Sequence, residues 1–171
     1  MSSEFLPIEN YVPHRGPMLL LDRLQSADAD GAVAEVTVPH DGLFLHDAGM
    51  PSWVGIEYMA QTVAAWAGWR ALQKGQAVQL GFLLGSRKYE AAQAFFEPGA
   101  ILQVSVRCEM RGSSGLGMFE CSIHGAQGAE LASARISVFE PEDGGAFMAS
   151  AATASRRPEG LPTGPSDKPI D

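Results

Sequence analysis

Glu57 stands where a carboxylate is out of place. From Pro51 to Leu72 the chain reads "PSWVGIEYMAQTVAAWAGWRAL", apolar on nearly every side and interrupted only by Glu57, Gln61 and Arg70. On a helix, residues four and seven apart share a face, so Glu57, Gln61, Ala64 and Gly68 form one stripe. Two polar groups sit at its N-terminal end, and only small side chains lie beyond them. A carboxylate taken out of water is costly unless it is paired or used. One reading makes Glu57 a favourable negative charge at a helix N-terminus. The other makes it an acid. His46 lies just upstream, with Gly49 and Pro51 shaping the backbone between. Alone, a loop histidine is usually a solvated side chain. A histidine and a carboxylate delivered to one apolar cleft can instead divide acid and base roles near neutral pH.

The elements that must position these groups are read from periodicity. Residues 4–15 read as a short helical turn and a loop, and "PMLLLDRLQSAD" (17–28) as a strand. "GAVAEVTVPHD" (31–41) alternates apolar and polar residues, the period of a half-buried strand. "DADG" (28–31) is the turn between them. A long helix is expected over 53–73, with Lys74 in its last turn and Gly75 at its C-cap. Four strands are expected after it, at 78–90, 100–112, 115–125 and 129–140, the last three as an antiparallel meander. A helix apolar on nearly every side must be surrounded. A curved antiparallel sheet around one helix is the economical solution, and Ala60, Ala64, Ala65, Ala67 and Gly68 let it close tightly. From Pro141 the composition turns to Gly, Ala, Ser and Pro, so residues 1–141 are expected to form one domain and 142–171 a disordered tail.

Composition excludes other classes. The 171 residues carry a net charge of −8, which argues against a nucleic-acid binder. Glu57, Gln61 and Arg70 interrupt the one long apolar run, against a membrane span. "MSSEFLPIEN" has neither the basic nor the apolar region of a secretory signal, which points to the cytoplasm. Cys108 and Cys121 are then expected as reduced, unbridged thiols, opposite each other if the strands turn at Ser114–Gly115. His14, His40, His46 and His124 are dispersed, with no metal-ligand spacing.

Three segments carry a resemblance. "VPHRGPMLLLDRL" (12–24), "MPSWVGIEYMAQ" (50–61) and "GFLLGSRKYE…FEPGAILQVSV" (81–106) resemble, in order, motifs of the β-hydroxyacyl-ACP dehydratases of fatty-acid synthesis. "PSWVGIEYMAQ" is closer still to the dehydratase-like proteins of aryl polyene clusters. The resemblance implies an α+β hot-dog fold: an antiparallel sheet of about six strands wrapped around one long central helix, working as dimers with shared active sites. It implies that Glu57 is the catalytic glutamate, Gln61 the helix glutamine and His46 the catalytic histidine. The chain departs from the family pattern at "HDAGMPS", a shortened loop in which Pro51-Ser52 replaces Pro-Gly, so His40 is the fallback.

The resemblance also implies a mechanism. The substrate would be a 3-hydroxyacyl thioester on acyl carrier protein. His46 would take a proton from C2, and Glu57 of the other subunit would protonate the departing C3 hydroxyl. Burial makes a carboxylate hold its proton, as that role requires. Backbone N–H groups near Ser52 and Trp53, with Gln61, would bind the substrate, the former at its carbonyl. No metal or redox cofactor is implied. Two alternatives stand beside this reading: a non-catalytic hot-dog subunit that completes a heterodimer, and an acyl thioesterase. Because the carrier is acidic, docking would need a local basic patch, for which Arg15, Arg70, Lys74, Arg87, Lys88 and Arg111 are candidates.

Overall fold

A computed structural model describes residues 4–154. Its central helix, α1 (Gly55–Gln73), is preceded by a single 3-10 turn at Ser52–Val54. Lys74 caps it, and Gly75 takes a φ of +67° that ends the helix without the cost a side chain would bring there. Arg70 in the last turn lays its guanidinium 4.6 Å from the centroid of Trp66.

Six strands form one antiparallel sheet: β1 (Arg23–Ala27), β2 (Gly31–Thr37), β4 (Phe82–Ala91), β6 (Ile101–Arg111), β7 (Leu116–His124) and β8 (Glu130–Phe139). Their order is β1-β2-β6-β7-β8-β4, so the expected meander β6-β7-β8 forms its centre. The alternation expected of half-buried strands is present. Leu102, Val104 and Val106 of β6 point inward with Ala32, Ala34 and Val36 of β2, and with Phe119, Cys121 and Ile123 of β7. This concave face wraps α1, whose Tyr58, Met59, Val63 and Trp66 are buried against it. Trp66 meets Phe119 edge-on at 5.5 Å and donates from Nε1 to the Asp28 carbonyl at 2.9 Å. No helix among the described residues is long and apolar enough to cross a membrane.

Four expectations need correction. The apolar run from 17 does not begin as a strand: Gly16–Met18 is a 3-10 turn, and pairing starts at Arg23. Pro17 has no N–H for a ladder, and the backbone of Met18 and Leu20 is bonded to a side chain of α1 instead. A second, two-stranded sheet joins β3 (Met50–Pro51) to β5 (Phe95–Phe96), elements too short to show a period. Within the segment expected to be a tail, Gly144–Ala154 form a helix, α2. Asp143 Oδ1 accepts from Ala146 N at 2.9 Å, capping its start, and Phe147 packs on Phe82 and Phe139 with centroids 5.1 and 5.4 Å apart. The remainder of that segment, 155–171, lies outside the described residues. Finally, both cysteines are free, but they are offset. Cys121 pairs with Val106 and Cys108 with Phe119, because the turn sits one residue from the expected position and β6 carries an irregularity between Cys108 and Met110. Burial, with Glu120 and Glu109 adding, pushes the Cys121 thiol up to about 12, so it stays protonated.

Candidate active site

Glu57 lies in the first turn of α1, and the N-terminal strap, residues 11–20, crosses beside it. Gln61, one turn along, is fully buried. Its amide donates to Glu57 Oε1 at 2.8 Å and to the Met18 carbonyl at 2.7 Å, and its oxygen accepts from Leu20 N at 2.9 Å. Both N–H groups are thus engaged by the protein. Gln61 therefore clasps the strap to the helix and holds one Glu57 oxygen, rather than reaching toward a ligand as expected. Glu57 itself is less buried than its apolar segment implies, its side chain 36% exposed at the mouth of a cavity.

The expected stripe divides. Gly68 does not line the cavity: it lies against the Tyr11 backbone, where a Cβ would fall on the Tyr11 carbonyl. Ala64 stays with Glu57 and joins Ala60 and Ala67 along one wall. Phe82, Leu83 and Val138 of β4 and β8 form the opposite wall of this cavity of about 120 Å³. Small residues on the helix leave the space, and the sheet supplies the apolar lining. Gln79 and Glu140 also line it, and Glu140 is paired with Arg111 at 2.9 Å.

The histidine at this cavity is His14. Its Nε2 lies 3.7 Å from Glu57 Oε1, and its side chain lines the cavity with Glu57. Burial pushes its imidazole below the ordinary value; Glu57 acts in the opposite direction, and Arg15 adds to the lowering. His14 Nδ1 is buried without a hydrogen-bond partner among the described residues. Sequence reasoning missed it as a site residue, although it stands in the "PHRGP" segment that carries the resemblance. Arg15 shapes its approach by donating to the carbonyls of Val12 and His14, both at 2.6 Å, and of Glu9 at 2.9 Å.

The other expected site residues are placed elsewhere. His46 is exposed, in a tight turn where its backbone exchanges hydrogen bonds with Gly49 at 3.0 and 2.9 Å. It does not line the Glu57 cavity of its own chain. His40 sits against Gly99, in the loop before β6. Ser52 N donates to the Ala94 carbonyl at 2.9 Å, so the N–H expected to face a substrate carbonyl is already used. The Ser52 carbonyl accepts from the Tyr89 hydroxyl, whose pKa burial pushes up to about 12. Trp53 is 57% exposed and meets Phe44 edge-on at 5.7 Å. Of the candidate docking cations, Arg15, Arg70 and Arg111 are engaged as described, whereas Lys74, Arg87 and Lys88 are exposed and make no salt bridge among the described residues.

Comparison with known proteins agrees with the fold. The ApeP-like family, described as ApeP dehydratase, matches residues 6–149. A curated relative, the 3-hydroxyacyl-[acyl-carrier-protein] dehydratase FabZ of Janthinobacterium sp. (strain Marseille), is 41% identical over 33% of this chain and 40% of its own length. The chain thus matches less than half of that relative. Among solved structures, the dehydratase heterocomplex ApeI:P from Xenorhabdus doucetiae matches with a TM-score of 0.78 and 28% identity, over 86% of this chain and 99% of that one. A hypothetical thioesterase with coenzyme A from Streptococcus pneumoniae TIGR4, 13% identical over 69% of this chain and 84% of that one, has a TM-score of 0.55 and shares the hot-dog fold alone.

Proposed function

The chain belongs to the ApeP-like dehydratase family, and on that premise we propose that it is a 3-hydroxyacyl-[acyl-carrier-protein] dehydratase, releasing water to leave a trans-2-enoyl thioester. The observation that carries this reading is Glu57, a carboxylate held by Gln61 and faced by an imidazole at the mouth of an apolar cavity. The protonated carboxyl gives its proton to the departing C3 hydroxyl. A histidine takes the C2 proton, and the acyl chain runs past Ala60, Ala64 and Ala67. The substrate arrives on an acidic carrier protein in the cytoplasm. The working unit contains a second hot-dog chain, another copy or a different dehydratase subunit. The kinship to a solved dehydratase heterocomplex supports such partnering.

A second reading keeps His46 as the base, delivered to Glu57 by the second subunit. The exposure of His46 favours it, since an exposed loop is available to a neighbour.

The test is Glu57→Gln, which keeps the shape and removes the ionisable proton. Dehydration of a 3-hydroxyacyl thioester should fall by about two to four powers of ten with the melting temperature held. Wild-type turnover in Glu57→Gln would place the chemistry in a partner and leave this chain as a scaffold.

A further inference from the structure

We infer that Tyr89 is a positioning residue for this site: its hydroxyl holds the turn that starts α1 and so fixes where Glu57 stands. The inference rests on the dehydratase reading and deepens it. The contacts involved lie within one chain, so the role is the same whichever chain supplies the histidine.

α1 begins without a side-chain cap. Neither Pro51, ahead of the 3-10 turn Ser52–Val54, nor Val54, ahead of α1, bonds the leading N–H groups with its side chain. An uncapped start leaves the first turn loosely held. β4 supplies the restraint instead. The Tyr89 hydroxyl donates to the Ser52 carbonyl, which also accepts from Gly55 N. Ser52 N is tied to the Ala94 carbonyl at 2.9 Å. Both backbone polar groups of Ser52 are thus fixed, five residues before Glu57. Gln61 steadies the Glu57 carboxylate from one side, and Tyr89 steadies its backbone from the other. Because the Tyr89 hydroxyl is committed to a backbone carbonyl, its role is to position and not to transfer a proton.

Two features make room for this contact and aim it. The first is Gly55. Its φ of −55° is ordinary for any residue, so the glycine is there for space rather than for conformation. A Cβ at 55 would lie 2.5 Å from the Tyr89 hydroxyl oxygen and 2.9 Å from Ile123 Cδ1. Glycine gives up helix propensity at this position, and the hydroxyl fills the space it leaves. The second feature is a bulge in β4, an edge strand. Arg87 pairs with Arg135 and Glu90 with Ser133, so Lys88 and Tyr89 together stand opposite Ala134. Lys88 takes a φ of +52°, which a lysine adopts only at a cost. Such an extra residue re-aims a neighbouring side chain, and bulges gather beside active sites. Here the side chain is Tyr89, turned onto the start of α1.

The experiment uses the full chain, in the assembly in which it is isolated, with a 3-hydroxyhexanoyl N-acetylcysteamine thioester as probe. kcat, KM and melting temperature are measured for Tyr89→Phe, Gly55→Ala and the double variant. Tyr89→Phe keeps the ring and removes the hydroxyl. Its kcat should fall about tenfold, with KM within about twofold, because small misplacements of a reacting group are costly to the chemical step. Its melting temperature should stay close to that of the wild type. Gly55→Ala pushes the hydroxyl off Ser52 and should lower kcat by a similar factor, while Ile123 Cδ1, the end of a flexible side chain, moves aside. The double variant should be no worse than Tyr89→Phe, because both changes break one contact. If Gly55→Ala fails to fold, Tyr89→Phe alone decides. Unchanged kcat in Tyr89→Phe, with or without a lower melting temperature, overturns the inference, as do losses that multiply in the double variant. Either result leaves the dehydratase reading intact. Full turnover in Glu57→Gln fails the dehydratase reading itself, a different result in a different variant.

Discussion

At the scale of single residues, the site depends on which protonation state the fold prefers. Burial lowers the His14 imidazole below its ordinary 6.5, with Glu57 opposing and Arg15 assisting. The folded chain therefore binds fewer protons here than the unfolded one. Stability from this group is complete above about pH 6.5 and is lost as pH falls through the lowered folded value. In melting-temperature scans from about pH 8 to about pH 5, His14→Gln should show a shallower decline than the wild type. An unchanged slope would mean that His14 titrates alike in both states. The contact between Glu57 and Gln61 was legible from their spacing, because one helical turn joins them. His14 was not, since it is 43 residues from Glu57 and nothing local joins the strap to α1. Gln61 does so, by bonding to Met18 and Leu20 rather than facing a ligand.

Elements decide how much room the site has. Ala64 and Gly68 sit one turn apart on α1 and have opposite duties. Ala64→Leu would fill part of the cavity beyond Glu57, so turnover of long acyl thioesters should drop at least about tenfold while short ones are spared, and the melting temperature should hold. A uniform loss across chain lengths would place the acyl chain elsewhere. Gly68→Ala puts a methyl group onto the Tyr11 carbonyl, which belongs to backbone and cannot rotate away. It should destabilise the fold by about 3 kcal/mol or more, at the upper end of overpacking, as read by chemical denaturation. The helix could be read from its length and caps, and β2, β6, β7 and β8 from their period, because each of these strands buries alternate residues. The β3–β5 pair and the 3-10 turn at Gly16–Met18 could not, being too short for a period. α2 was missed because small residues dominate it. Its Asp143 cap and its single aromatic, Phe147, settle it onto Phe82 and Phe139.

For the whole molecule, the proposed function raises the question of how a chain of net charge −8 would meet an acidic carrier. Association is governed by the local field. Lys74 caps the end of α1, and Arg87 and Lys88 lie on β4, whose Phe82 and Leu83 line the cavity. Replacing Arg87 and Lys88 by Glu should raise KM for a carrier-borne substrate about tenfold and leave the N-acetylcysteamine thioester unaffected. Equal effects on both substrates would show damage to the site rather than to docking. Docking through these exposed cations should also make carrier-dependent turnover sensitive to salt, because exposed charges farther apart than about 10 Å are largely screened at 0.1 M.

The Gln61 clasp also bears on the order of events in folding. The amide that steadies Glu57 is satisfied only when a strap more than forty residues away has docked, across a loop that contains β1 and β2. Closing such a loop is entropically slow compared with winding a helix. A newly made chain can thus possess α1, and even Glu57 in its turn, before it possesses a site. Competence arrives with one of the late, non-local closures, so a chain caught short of its final state carries the carboxylate without its imidazole companion.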